Sequence, residues 1–69
     1  MKRESKRFPG LFLESHGSSV TVSYGVAWTT YSLITGEMVD CSDHGEIPSA
    51  MEAHARDTIR QMVEKGRSA

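Results

Sequence analysis

The residues whose types could do chemistry gather between Asp40 and Glu46. Cys41 and His44 are separated by two residues, a spacing found in zinc sites, and Asp43 adds a carboxylate between them. A structural zinc ion needs four ligands, however, and the chain has no second Cys/His pair at such a spacing. We therefore read the segment as an acidic turn and expect neither a metal site nor a bound cofactor.

Nucleophilic catalysis has little support. Ser15 lies next to His16, and Cys41 could meet His44 or His54, but a nucleophile needs a base within hydrogen-bond reach and a third group that orients the base. Adjacent residues in a turn rarely reach that geometry, and a short chain has little material for a concave substrate pocket. The sequence therefore predicts a protein that is not an enzyme.

The size of the chain points to one small domain. Its 69 residues include a single cysteine, Cys41, which excludes an internal disulfide and favours a reducing compartment. No apolar run reaches the length of a membrane span, and no apolar signal sequence follows Met1. We expect a cytoplasmic protein that does not enter membranes.

Charge divides the chain into two regions. Residues 1–7 hold four basic residues and one acidic residue, which gives +3, whereas the remaining residues hold four basic and eight acidic ones, which gives −4. The four basic residues are Lys2, Arg3, Lys6 and Arg7. We interpret residues 1–7 as a flexible basic tail and residues 8–69 as a single small α+β domain.

Large and small side chains alternate strictly from Val20 to Trp28, which is typical of a half-buried strand. The large series then continues at Tyr31, so one residue must be absorbed at Thr29–Thr30, and a β-bulge or a tight turn would do so. We interpret residues 20–34 as a long, bent middle strand. Shorter strands are predicted on either side of it, at 11–14 and, after a turn, at 37–41.

A helix is predicted from Ser49, which could cap it together with Glu52, to Gly66, which could end it. Its apolar stripe consists of Met51, Ala55, Ile59, Met62 and Val63. The predicted fold is therefore α+β: a three-stranded antiparallel β-meander with one C-terminal helix packed on one face and the other face uncovered.

One layer of core suffices for such a fold. The expected core residues are Val20, Val22, Val26, Leu33, Met38, Met51, Ile59 and Met62. Three aromatic residues, Tyr24, Trp28 and Tyr31, are then in surplus. They could finish the edges of the core, or they could anchor a partner, since Trp and Tyr are favoured at binding hot spots.

The absence of catalytic sets and the surplus of aromatic residues favour a small protein-binding module. In size and class alone it resembles the small acidic proteins of phages and mobile elements that inhibit host complexes, such as anti-CRISPR proteins. The expected binding residues are Tyr24, Trp28, Tyr31, Glu37, Asp40, Asp43 and Glu46, facing a basic nucleic-acid-binding partner. A homodimer through a strand edge or the open sheet face is a further expectation.

The alternative is a DNA- or RNA-binding domain. It would use the exposed sheet face together with the basic residues Lys2, Arg3, Lys6 and Arg7.

Overall fold

The computed structural model describes residues 2–68, so the ends of both predicted regions, Met1 and Ala69, lie outside it. One antiparallel sheet has its strands in the order β1-β2-β3-β4-β5 and is followed by one helix. The elements are β1 (Lys2–Glu4), β2 (Leu11–His16), β3 (Ser19–Tyr24), β4 (Ala27–Ser32), β5 (Met38–Cys41) and α1 (Ser49–Ser68). The prediction of three strands is wrong, because the sheet has five.

The predicted long middle strand is a hairpin. Tyr24 pairs with Ala27, and Gly25 and Val26 form the two-residue turn between them. Gly25 has φ +63° and no other residue type in the described chain has a positive φ, so the turn matches type II′, which takes glycine first. Val26 is apolar and continues the alternation of large and small side chains through the turn. The sequence pattern therefore did not reveal the turn.

This turn changes which side chains share a face. Two residues separate the paired positions Tyr24 and Ala27. The side chains that face the helix are therefore Val22 and Tyr24 on β3, and Ala27 and Tyr31 on β4. Trp28 consequently lies on the opposite face. The phase slip predicted at Thr29–Thr30 is therefore wrong: it occurs at the turn.

A true irregularity in the sheet lies in β5. Tyr31 pairs with Met38 and Thr30 pairs with Asp40, which leaves Val39 as the additional residue of a β-bulge.

The first strand lies within the segment predicted as a basic tail. Arg3 pairs with Leu13, and the Ser5 N–H donates to the Leu11 carbonyl at 2.8 Å. The Gly10 N–H donates to Glu4 Oε2 at 3.0 Å. The sequence did not predict this strand because its side chains are charged and show no apolar alternation.

The predicted helix is confirmed, with changes at its ends. The Glu52 N–H donates to the Pro48 carbonyl at 2.9 Å, so Pro48 rather than Ser49 occupies the capping position. At the other end, the helix continues through Gly66. Among residues 2–68, no helix combines the length and apolar composition needed to cross a membrane.

The core lies between α1 and one face of the sheet. Its buried residues are Leu11, Val20, Val22, Ala27, Tyr31, Ala55, Ile59 and Val63. Three of the predicted core residues are instead exposed: Val26 at 79%, Met38 at 53% and Met62 at 37%. Val26 is in the hairpin turn, outside the layer that the helix covers. Met38 pairs with Tyr31 on the helix side, but it lies on the edge strand, where one side is open to solvent.

Candidate functional site

Chemistry-bearing side chains lie on several surfaces outside the core. The first is the sheet face that α1 leaves uncovered. Strand pairing places Phe12, Ser23 and Trp28 in one row across β2, β3 and β4. In the next row Thr21 and Thr30 share a hydrogen bond of 3.0 Å between their hydroxyls. This face therefore has two aromatic residues separated by a small hydroxyl side chain.

The charge of the uncovered sheet face does not favour phosphate binding. Lys2 lies on this face, with its Nζ 5.0 Å from the centre of the Phe12 ring. Pairing also places Glu14 and Asp40 on this face. Acidic groups therefore outnumber the lysine on the described strands of the uncovered face.

The other predicted nucleic-acid residues lie elsewhere. Arg3, Lys6 and Arg7 line a groove between the N-terminal segment and α1, on the helix side of the sheet. The structure thus separates the sheet face from most of the basic residues that were expected to work with it.

The second surface is a concavity of about 480 Å³ where the β3–β4 turn meets the segment after β5. We call it the Trp28 cleft. It is lined by Val26, Trp28, Asp40, Cys41, Ser42, Asp43 and His44. An almost fully exposed valine and a half-buried tryptophan thus share one concavity with two exposed carboxylates.

Ser42 holds one wall of the Trp28 cleft against the other. The backbone N–H of Trp28 donates to Ser42 Oγ at 3.1 Å, and the backbone N–H of Ser42 donates to the Trp28 carbonyl at 2.9 Å. The Ser42 hydroxyl also donates to the His44 carbonyl at 3.0 Å, which bends the segment after β5. The acidic segment is therefore fixed beside the tryptophan by the backbone and one hydroxyl.

Gly45 brings the same segment against the hairpin. Its φ is +81°, and a β-carbon there would lie 3.1 Å from Val26 Cγ2 and 3.2 Å from Ala27 Cβ. This close approach requires glycine.

The outer strand β5 forms an edge of the sheet that is poorly suited to pairing with another strand. All four of its residues are exposed, including Val39 at 62%. The bulge at Val39 interrupts the ladder, and the Cys41 N–H donates to Asp40 Oδ1 at 2.9 Å. Bulges and charged groups on an edge oppose pairing with another strand. Side chains, rather than the β5 backbone, are therefore the groups this region offers to a partner.

The structure disperses the predicted binding residues. Trp28, Asp40 and Asp43 meet in the Trp28 cleft, whereas Tyr31 and Glu37 line a separate concavity of about 460 Å³ beside α1. Glu46 is exposed, and Tyr24 is half-buried against the core.

Tyr31 finishes the core, with 3% of its surface exposed. The Tyr31 side chain, first through a hydrogen bond and then through its charge, raises the pKa of Arg56, and the charge of Glu52 contributes less. Arg56 Nη2 lies 3.0 Å from Glu52 Oε1. Tyr31 is thus joined to the helix rather than available to a partner.

Of the catalytic pairings considered from the sequence, Cys41 and His44 line the Trp28 cleft together, whereas His54 lines the groove between the N-terminal segment and α1. Within residues 2–68, no group of three or more His, Cys, Asp or Glu residues is arranged to hold a metal ion. His16 Nε2 instead lies 3.3 Å from Glu14 Oε1 on the surface, and the Cys41 thiol is exposed.

Val26 is the cleft residue that sequence reasoning assigned wrongly, since it was expected in the core. Gly25 is the signal that could have identified Val26 as a turn residue, because the two-residue turn of a hairpin can have glycine at its first position.

Comparisons with known proteins find no matching family model, no matching curated protein and no matching solved structure.

Proposed function

We propose that the protein is a binding module that takes an arginine or lysine side chain of a basic protein partner into the Trp28 cleft. The observation that carries the proposal is the lining of the cleft: the exposed Val26 and the half-buried Trp28 line the same concavity as Asp40 and Asp43. The long basic side chains combine an apolar stem with a cationic head, and they need both kinds of surface.

The physical chemistry favours arginine over lysine. A guanidinium can lie on an aromatic face and donate parallel hydrogen bonds to a carboxylate, whereas an ammonium is a compact, strongly hydrated charge. Cation–π contact contributes about 0.5–2 kcal/mol, depending on how far the pair is desolvated. Because the loop beside Trp28 is already held by Ser42, little ordering accompanies binding.

The partner is a basic protein rather than a second copy of this chain. Antiparallel pairing of two β5 edges would bring the acidic residues of both copies together, and the bulge at Val39 and the Asp40 cap oppose it. A basic partner surface of this kind commonly binds nucleic acid. Occupying it would block phosphate contacts, which is how a small acidic inhibitor of a host complex would act.

The nucleic-acid alternative has less support. Lys2 is the basic residue that shares the open sheet face, while Arg3, Lys6 and Arg7 lie on the helix side.

The test uses Trp28, the only tryptophan, as its own reporter. The protein is titrated with a nonapeptide of alternating arginine and serine, with the lysine version, and with a short single-stranded DNA. We expect a change in tryptophan emission with the arginine peptide, weaker binding of the lysine peptide, and loss of both as salt screens the charges. If the DNA binds and the peptides leave the emission unchanged, the proposal is wrong.

A further inference from the structure

The groove between the N-terminal segment and α1 is the third surface, with a volume of about 750 Å³. We call it the basic groove. It is lined by Arg3, Glu4, Ser5, Lys6, Arg7, Leu13, Ser15, His54, Thr58 and Met62. Its volume is within the range of about 300–1,000 Å³ that is usual for ligand sites. It lies on the opposite side of the sheet from the uncovered face.

The basic wall of this groove has a defined shape. The Phe8 N–H donates to Ser5 Oγ at 3.1 Å, and the Leu11 N–H donates to the Phe8 carbonyl at 3.1 Å. The Phe8 ring lies 5.3 Å from the His54 ring, and the Arg7 guanidinium lies 5.5 Å from Phe8. The backbone of the segment is thus fastened to both the sheet and the helix, and Arg7 is placed beside Phe8 before a ligand arrives.

The charge of the groove is one-sided. Arg3, Lys6 and Arg7 supply three cations, whereas Glu4 is the acidic residue of the lining and its Oε2 already accepts the Gly10 N–H. The electrostatics therefore favour an anionic ligand.

The floor of the groove is apolar and elongated. Leu13 contributes from β2, and Met62, 37% exposed, contributes from α1. His54, Thr58 and Met62 are successive turns along the helix, and eight residues at 1.5 Å each span about 12 Å. That length matches about four residues of an extended peptide at 3.3 Å each.

We propose that the basic groove binds an extended acidic peptide segment of another protein, with carboxylates against Arg3, Lys6 and Arg7 and an apolar side chain on Leu13 and Met62. A cationic wall beside an apolar floor fits a chain that alternates acidic and apolar residues. A small anion would use one end of the groove and leave the floor uncovered. A nucleic acid would bring several phosphates toward a body whose other residues carry net negative charge. This site and the Trp28 cleft are lined by different residues, so either can fail without the other.

The test is fluorescence polarisation with a dye-labelled hexapeptide of alternating glutamate and leucine. We expect the peptide to bind and its glutamine counterpart to bind at least about tenfold more weakly, since charged hydrogen bonds are lost. Lys6→Gln/Arg7→Gln should weaken binding by about tenfold, and Met62→Gln should weaken it by a similar factor through the lost apolar contact. Lys2→Gln/Arg60→Gln is the matched control, because it also removes two positive charges: Lys2 lies on the other sheet face over Phe12, and Arg60 lies on α1 outside the groove lining.

Four results would overturn the proposal. One is equal affinity for the glutamate and glutamine peptides. Another is an equal loss of binding in Lys2→Gln/Arg60→Gln and in Lys6→Gln/Arg7→Gln, which would mean general charge attraction. The third is unchanged binding in Met62→Gln. The fourth is tighter binding of a single-stranded oligonucleotide of equal charge. Circular dichroism of each variant establishes that the comparison is made between folded proteins.

Discussion

Trp28 and Ser42 form reciprocal hydrogen bonds. The backbone N–H of Trp28 donates to Ser42 Oγ at 3.1 Å, and the backbone N–H of Ser42 donates to the Trp28 carbonyl at 2.9 Å. This pair ties β4 to the segment that follows β5. It explains why the cleft has two walls of different chemistry, one apolar and one acidic.

Ser42→Ala should destabilise the fold by about 1 kcal/mol, because it leaves the part-buried Trp28 N–H without its acceptor. Denaturant unfolding measures the change. Ser18→Ala, at an exposed turn position, is the control and should change stability by less than about 0.5 kcal/mol. Equal effects of the two substitutions would show that the Ser42 hydroxyl does not hold the segment.

Two glycines should respond in opposite directions to the same substitution. Gly45→Ala should destabilise by about 1–2 kcal/mol, because its φ is +81° and the added carbon would crowd Val26 and Ala27. Gly66→Ala should stabilise by less than about 1 kcal/mol, because it lies in α1 with open space beside it. Thermal unfolding of both variants tests this, and a destabilised Gly66→Ala would contradict the observed helix extension.

Asp40→Ala should increase self-association. The substitution frees the Cys41 N–H from Asp40 Oδ1 and removes a charge from the β5 edge, so the edge becomes more accessible to another strand. Asp40→Asn keeps an acceptor oxygen and should stay closer to the original protein. Light scattering at increasing protein concentration gives the mass. Asp43→Ala removes the same charge without uncapping the amide, and an equal rise in mass there would assign the effect to charge alone.

Val26→Ser separates binding from stability. Val26 is 79% exposed in a hairpin turn, so its loss should change the free energy of unfolding by no more than about 0.5 kcal/mol. The arginine peptide should nevertheless bind more weakly, because the stem of the side chain loses an apolar contact in the Trp28 cleft. Unchanged affinity in tryptophan-emission titrations would remove Val26 from the site.

The fold could be predicted where the sequence pattern and the burial agree. In α1, Ala55 and Ile59 are each 1% exposed, as the helical spacing indicates. The pattern failed at Val26, because a turn residue that is apolar is indistinguishable from the next residue of a strand. It failed again at Lys2–Glu4, where backbone pairing with β2 forms a strand from charged residues.

The candidate site could also be predicted only in part, because the sequence pattern did not reveal the turn at Val26. Trp28, Asp40 and Asp43 were expected to bind a partner, and the structure brings them into one cleft. Tyr31 was in that set but is buried on the helix-facing side, where the large series was expected to continue, whereas the Gly25–Val26 turn places Trp28 on the opposite face. Which aromatic residue is core therefore depended on one two-residue turn.

The most direct test of the Trp28 cleft compares two double variants that remove equal charge. Asp40→Asn/Asp43→Asn changes the cleft, and Glu37→Gln/Asp57→Asn changes exposed carboxylates outside it. The affinity for the arginine peptide is measured by tryptophan emission at constant salt. The account predicts at least about a tenfold loss for the first variant and less than about a twofold change for the second. Equal losses would contradict it, since the peptide would then respond to net charge and not to the cleft.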